Sequence, residues 1–193
     1  MPRLFAALVF CLLTSCGLLY PTVVDPDHVV PATRVDLELD RNGRLLSREY
    51  HVAPGDVPLA VREAMDRLHP ASAYVGARVE YTALRTFYQL ARQVDGLLII
   101  SRFQPDGTLL SERQEIPLKD VPETVRQAVL LAFPRAARPH YEQQHNALGE
   151  TTGYQVRIRV GTLDYRLSVN PTGLLLGVWR DIPSQLTVPA SPP

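Results

Sequence analysis

Cysteine is scarce in this chain, and lysine is almost absent. The 193 residues contain two cysteines, Cys11 and Cys16, and both lie near the N-terminus. The long remainder therefore has no pair of thiols for a disulfide or a thiolate metal site. Lys119 is the only lysine, and the 20 basic residues are balanced by 20 acidic ones. Because a general nucleic-acid binder needs a clear basic excess, this balance argues against that class of function.

Short catalytic motifs are also missing from the sequence. It contains no Gly-x-Ser-x-Gly elbow, no His-Glu-x-x-His pair and no glycine-rich phosphate loop. His140 and His145 are five residues apart, so a strand would point them to opposite faces. His140 and Glu142 would share a face, but two ligands alone make a weak zinc site. We therefore predict a protein that is not an enzyme and needs neither a cofactor nor a metal.

The N-terminal segment is typical of an exported protein. Arg3 is its only charge, and an apolar run follows from Leu4 to Leu13. The next residues, up to Cys16, resemble a bacterial lipobox, in which the cysteine is lipidated and becomes the new N-terminus. That resemblance implies a signal peptide at residues 1–15. The alternative is an uncleaved membrane helix, but the seventeen residues from Leu4 to Tyr20 are short for one.

Lipidation at Cys16 would tie the protein to a membrane, since more than one acyl chain is expected there. Gly17 is not the aspartate that, by resemblance to enterobacterial lipoproteins, retains a protein at the inner membrane. We therefore expect the outer membrane, facing the periplasm. Residues 16–33 contain three prolines and predict a tether, and the proline-rich residues 184–193 predict a flexible tail.

A duplicated segment organises the rest of the chain. The stretch from Asp56-Val57-Pro58 to Pro70 returns 64 residues later as Asp120-Val121-Pro122 to Pro134. Such internal repetition predicts tandem units. Apolar residues at helical spacing predict one helix in each copy: Val57, Val61, Ala64, Met65 and Leu68, then Val121, Val125, Ala128, Val129 and Ala132.

Both predicted helices have end signals. The aspartate of each Asp-Val-Pro could cap free N–H groups, and the proline suits the first turn because it lacks an N–H. Pro70 and Pro134 end the helices.

Alternating apolar and polar residues after each helix predict antiparallel strands. The clearest alternation covers residues 86–94, 97–103, 154–160 and 163–169. Hairpin turns are predicted at Gly43, Gly107 and Gly173, because turns of this kind need a positive φ angle.

The predicted fold class is α+β. It has a leading β-hairpin at residues 34–55 and two repeats, 56–119 and 120–183. The helix opening Val-Pro-x-x-Val-Arg-x-Ala and the Asp-Gly hairpin followed by Leu-Leu resemble PepSY-like domains, which are grouped with β-lactamase-inhibitor-like proteins. That resemblance implies a helix on a four-stranded antiparallel sheet in each repeat, with the other sheet face available to partners.

Three arginines are candidate binding residues on the outward sheet face of the second repeat. Arg157 and Arg159 would lie near Arg166 on the next strand, with only Asp164 to offset them. Arginine can clamp carboxylates in bidentate fashion. The alternative is a solvated face that is rich in arginine because of codon use.

We expect a lipid-anchored envelope protein that binds a protein or peptide through its open sheet face. Regulation of an envelope peptidase is a sub-case that the family resemblance suggests. The alternative function is a small-molecule carrier or sensor, with a ligand held between helix and sheet or between repeats.

Overall fold

The computed structural model describes residues 34–70 and 72–183. Four sequence predictions therefore lie outside the described residues: the signal peptide at 1–15, lipidation at Cys16, the tether at 16–33 and the tail at 184–193. Within the described part of the chain, no helix is long and apolar enough to cross a bilayer.

Ten antiparallel strands form one sheet in chain order. They are β1 (Arg34–Leu39), β2 (Leu45–Val52), β3 (Tyr74–Thr82), β4 (Thr86–Val94), β5 (Leu97–Phe103), β6 (Leu109–Ile116), β7 (Ala137–Asn146), β8 (Thr151–Val160), β9 (Leu163–Val169) and β10 (Leu175–Asp181). Helix α1 (Leu59–Leu68) follows β2, and helix α2 (Glu123–Ala132) follows β6. A short 3-10 turn precedes each helix.

This topology contradicts the predicted fold class. We expected tandem repeats, each with its own sheet of about four strands. Instead β6 pairs with β7, from Ser111 opposite Asn146 to Ile116 opposite Tyr141. This pairing joins the two expected sheets into one continuous sheet. The physical reason is that two separate sheets would leave the N–H and C=O groups of both strands unpaired at an edge.

Strand alternation predicted four strands and missed the first strand after each helix, β3 and β7. Strands β4, β5 and β9 have the predicted bounds. The sequence pattern did not identify β7, whose only buried apolar side chain is that of Tyr141. Pro139 lies in this strand at an irregularity of the register between Ala137 and His140, where a missing N–H is tolerated.

Two apolar clusters fill the space between the helices and the sheet. Val61 and Met65 of α1 and Val125 of α2 are completely buried, as their helical spacing predicted. The α1 cluster includes Val79, Leu90 and Phe103, and the α2 cluster includes Val156, Leu167 and Val169. Leu68 was predicted on the same face, but it lies at the end of α1 and is 43% exposed.

The predicted aspartate caps are wrong. Asp56 and Asp120 end the 3-10 turns, and the N-cap residues are Pro58 and Pro122, with no side-chain cap hydrogen bond. The Pro58 carbonyl instead accepts hydrogen bonds from the N–H groups of Val61 and Arg62. The helices end at Leu68 and Ala132, before the prolines that were predicted to end them.

The glycine turns lie against the helices. Gly107 and Gly173 have φ angles of +86° and +89°, as the turn prediction required. A Cβ on Gly107 would lie 2.6 Å from the carbonyl oxygen of Ala60, and one on Gly173 would lie 2.7 Å from that of Thr124. The β5–β6 and β9–β10 turns therefore fit the first turns of α1 and α2 so closely that no side chain has room.

Strand β1 leaves its helix-side face uncovered in the described structure. Val35, Leu37 and Leu39 are 37%, 43% and 51% exposed. The residues 64 positions later are Ile99, Ser101 and Phe103 of β5, and these are 6%, 0% and 0% exposed. The difference arises because α1 covers β5, whereas no described helix covers β1.

We predict that Gly107→Ala destabilises the protein more than Gly43→Ala does. Both substitutions put a Cβ on backbone with positive φ, at about 1 kcal/mol each. At Gly107 the methyl group also meets the Ala60 carbonyl, which adds roughly 1–3 kcal/mol, whereas Gly43 has no atom within 4 Å of the new group. Urea unfolding measures both variants, and equal losses would contradict this contact.

Candidate functional site

The sheet face opposite the helices is polar and concave. Residues from all ten strands line one trough of about 390 Å³, which requires the sheet to curve toward this face. We call this cavity the trough. Its charged lining residues are Arg34, Asp36, Glu38, Glu49, Arg78, Glu80, Arg102, Arg113, Arg157, Arg166 and Asp181.

Arg113 on β6 lies at the centre of the trough. Its guanidinium donates hydrogen bonds to Glu142 Oε2 at 3.3 Å, to Gln155 Oε1 at 3.2 Å and to Gln89 Oε1 at 3.2 Å. Burial lowers the pKa of Arg113, and the neighbouring charge of Glu142 opposes that effect. Because Gln89 is on β4 and Gln155 is on β8, this one side chain connects both halves of the sheet.

Glu142 on β7 contacts two arginines. Glu142 is 2% exposed, and its carboxylate accepts hydrogen bonds from Arg113 and Arg157. His140 Nε2 lies 3.6 Å from Glu142 Oε1, and His140 Nδ1 lies 3.5 Å from Glu115 Oε1. A buried carboxylate of this kind is held in place by charge-assisted hydrogen bonds.

The β1–β5 end of the trough contains paired charges. Arg102 donates to Glu80 through Nε at 3.0 Å and through a terminal nitrogen at 2.9 Å, and it lies 3.8 Å above the Phe87 ring. Arg78 lies 3.4 Å from both carboxylate oxygens of Glu49. These arginines are therefore fixed by acids of the same surface.

Asp36 lies at the outer margin of this end. Its Oδ2 is 2.9 Å from His51 Nε2, and its Oδ1 accepts a 2.7 Å hydrogen bond from Arg34. Partial burial alone would raise the pKa of Asp36, but the hydrogen bonds from His51 and Arg34 lower it overall.

The three predicted arginines do not form one cluster. Arg159 donates to Asp164 at 2.7 and 2.9 Å, an interaction that lowers the pKa of Asp164. These two residues border a second cavity of about 620 Å³ at the end of strands β7 to β9. Arg157 and Arg166 line the trough.

Arg166 differs from its neighbours because it has no acidic partner within 4 Å in the described structure. Its guanidinium lies 5.8 Å from the centre of the Trp179 ring, and its buried Nε has no hydrogen-bond partner. In the sheet register Arg166 on β9 is directly opposite Arg157 on β8. The structure therefore brings Arg157 and Arg166 together in the trough. Arg159 is paired with Asp164 and borders the second cavity, which Arg157 also lines.

A polar chain on the helix side was not predicted. Glu112 Oε2 lies 2.8 Å from His69 Nε2 and accepts a 2.8 Å hydrogen bond from Ser101 Oγ. The carboxylate lies between the hydroxyl and the imidazole, so the histidine does not contact the serine and cannot remove its proton. The three residues come from α1's end, β5 and β6, and no local sequence pattern connects them.

In residues 34–70 and 72–183, no group of three or more His, Cys, Asp or Glu side chains is arranged to hold a metal ion. His140 contacts two carboxylates on its own face, as the strand alternation predicted for Glu142.

No family model and no curated protein matches the chain. Among solved structures, it is similar to a candidate periplasmic protein from Bacteroides eggerthii, with a TM-score of 0.52, 16% identity and coverage of 64% of this chain and 88% of that one. A DUF2874 family protein from Bacteroides uniformis has a TM-score of 0.51 and 13% identity over 64% and 88%. A BLIP-like protein from Bacteroides fragilis has a TM-score of 0.47 and 18% identity over 67% and 89%.

The first two similarities show a shared fold over about two thirds of this chain. The PepSY part of the sequence resemblance has no matching family model.

We predict that Glu142→Gln lowers the free energy of unfolding by about 3 kcal/mol or more, because it leaves Arg113 buried without its carboxylate. Glu115 lies directly opposite Glu142 in the register and its side chain is 37% exposed. Glu115→Gln is therefore the control, with an expected loss below about 1 kcal/mol. Chemical denaturation of both variants tests this, and similar losses would show that Glu142 does not stabilise Arg113.

Proposed function

We propose that this protein is a non-enzymatic binding protein of the bacterial cell envelope that holds a protein or peptide segment in the trough. The observation that carries this proposal is the polar trough itself, to which all ten strands contribute. A continuous face of paired charges and amides offers many hydrogen-bonding groups to an extended partner, and a concave shape allows contact on more than one side.

The side-chain contacts in the trough favour binding over catalysis. Glu49, Glu80 and Glu142 each contact arginine, so these carboxylates are engaged in fixing the surface. A surface whose charged groups are held in place before the partner arrives loses little conformational entropy on binding.

The alternative of a small-molecule carrier has weaker support. In the form with a ligand between helix and sheet it requires an apolar cavity there, but that space is filled by completely buried side chains such as those of Val61, Met65 and Val125. The trough is lined mainly by charged and amide groups, which suit a polar partner.

The proposed location rests on two supports. The N-terminal sequence is typical of an exported lipoprotein, with lipidation at Cys16. The Bacteroides eggerthii neighbour is described as a candidate periplasmic protein. We propose a periplasmic location with attachment to the outer membrane through Cys16. An envelope peptidase is one partner class that the family resemblance suggests.

The membrane anchor is tested by metabolic labelling with an alkyne fatty acid. The wild-type chain is expected to take up the label and to fractionate with membranes. Cys16→Ser is expected to lose both properties, because the thiol that would carry the acyl chain is gone. Cys11→Ser is the matched control and should be labelled normally. Label on the Cys16→Ser protein would contradict the anchor.

The binding face is tested by photocrosslinking in the full chain. A photoreactive amino acid replaces Ser111 in the trough, Glu63 on the outer surface of α1, or Val35 on the uncovered face of β1. We expect the Ser111 position to give a discrete adduct that mass spectrometry identifies, and the Glu63 position to give none.

Two results would contradict this proposal. Adducts from Val35 without adducts from Ser111 would place the partner on the apolar face of β1. Equal adducts from all three positions would show contacts without a defined binding face.

A further inference from the structure

We propose that Arg157 and Arg166 form a carboxylate-binding subsite at the β8–β9 end of the trough, which takes an acidic group of a bound peptide. This inference rests on the proposed binding function and names the chemistry of its partner. It narrows the predicted set of three arginines to two.

The first observation is the pairing of like charges. Arg157 and Arg166 are directly opposite each other on neighbouring antiparallel strands, on the trough face of the sheet. Directly opposed like charges destabilise a sheet, and side chains at such positions start about 5 Å apart. An anion placed between the two guanidinium groups would remove this repulsion.

The second observation is that the protein neutralises this pair only in part. Glu142 is shared between Arg113 and Arg157, so one carboxylate serves two guanidinium groups. Arg166 has no acid within 4 Å in the part of the chain that the structure describes. Asp181 lines the same trough but forms no ion pair with Arg166.

Two other arginines have a buried Nε without a hydrogen-bond partner, but unlike Arg166 they have acidic partners. The Nε atoms of Arg92 and Arg126 are also buried without a partner, but their terminal nitrogens contact Asp66 and Glu123. Of these three arginines, Arg166 is the one whose charge also lacks an acidic partner in the described structure. Its position above the Trp179 ring restricts the guanidinium, so a ligand would meet an ordered group.

The third observation is the charge difference along the trough. The lining residues from β1 to β5 include four acids, Asp36, Glu38, Glu49 and Glu80, against three arginines, Arg34, Arg78 and Arg102. The lining residues from β6 to β10 include Arg113, Arg157 and Arg166 against Asp181, and the buried Glu142 contacts the first two of these arginines. A bound peptide would therefore be oriented with its carboxylate toward β8 and β9.

Arginine binds a planar carboxylate through two parallel hydrogen bonds, which suits this subsite. Phosphate offers similar oxygen geometry, so it is the competing anion. A long polyanion such as nucleic acid would meet the four acids at the other end of the trough, which disfavours it.

Trp179 provides a direct test because it is the only tryptophan of the chain and lies beside Arg166. The full chain is titrated at low salt with hexaglutamate, and the fluorescence of Trp179 is recorded. Hexaglutamine, hexalysine and inorganic phosphate are titrated in parallel. We expect a saturable change with hexaglutamate that is absent with hexaglutamine and hexalysine.

Variants assign the binding to the two arginines. Arg157→Gln and Arg166→Gln are each expected to weaken hexaglutamate binding about tenfold or more, the effect of losing a charged hydrogen-bonding partner. Arg159→Gln is the matched control and should bind hexaglutamate within about twofold of wild type. The Arg159 guanidinium already donates two hydrogen bonds to Asp164 and is not expected to bind the peptide. Isothermal titration calorimetry measures the same affinities without relying on Trp179.

A stability measurement excludes a purely structural role. Arg166→Gln should keep or raise the melting temperature of the free protein, because it removes a like-charge pair. If that variant does not fold, Arg166 is structural and the proposal is wrong. Saturation by phosphate with no response to hexaglutamate, or an equal loss in Arg159→Gln, would also overturn it. A Ser111 crosslink that persists in Arg157→Gln and Arg166→Gln would reject this subsite while leaving the proposed function intact.

Discussion

The pairing of β6 with β7 is the constraint on which the rest of the structure depends. β6 is the last strand before α2, and β7 is the first strand after it. Because these two strands are hydrogen-bonded to each other, all ten strands belong to one sheet. One continuous sheet can curve into one trough. It also places Arg113 between Gln89 and Gln155, and this cross-sheet contact would not exist between two separate sheets.

The two faces of the sheet use the duplicated sequence differently. On the helix side the contacts are alike, since Gly107 fits Ala60 as Gly173 fits Thr124. On the trough side the equivalent positions have exchanged charge. Glu49 pairs with Arg78, and the residues 64 positions later are Arg113 and Glu142, which also pair. The two halves therefore share their glycine–helix contacts and differ in the order of charges on the trough face.

Sequence patterns predicted the features that depend on residues close together in the chain. Helical spacing identified the buried valines of α1 and α2, and positive-φ glycines identified three of the turns. The β6–β7 pairing was not predictable in this way, because Glu112, Gln114, Gln143 and His145 give these strands no clear apolar alternation. The Arg159–Asp164 pair could have been found, since the turn at Gly161 sets the register that puts them opposite each other. The Arg113–Glu142 pair could not have been predicted, because it depends on the pairing of β6 with β7.

Native-state hydrogen exchange of the backbone amides of β6 tests the continuous sheet most directly. If β6 is an interior strand, the amides that face β7 will be protected as strongly as those that face β5, well above the outward amides of β1 and β10. Exchange of the β7-facing amides at the rate of those outward edge amides would show two separate sheets. The single trough, and the binding function proposed for it, would then be contradicted.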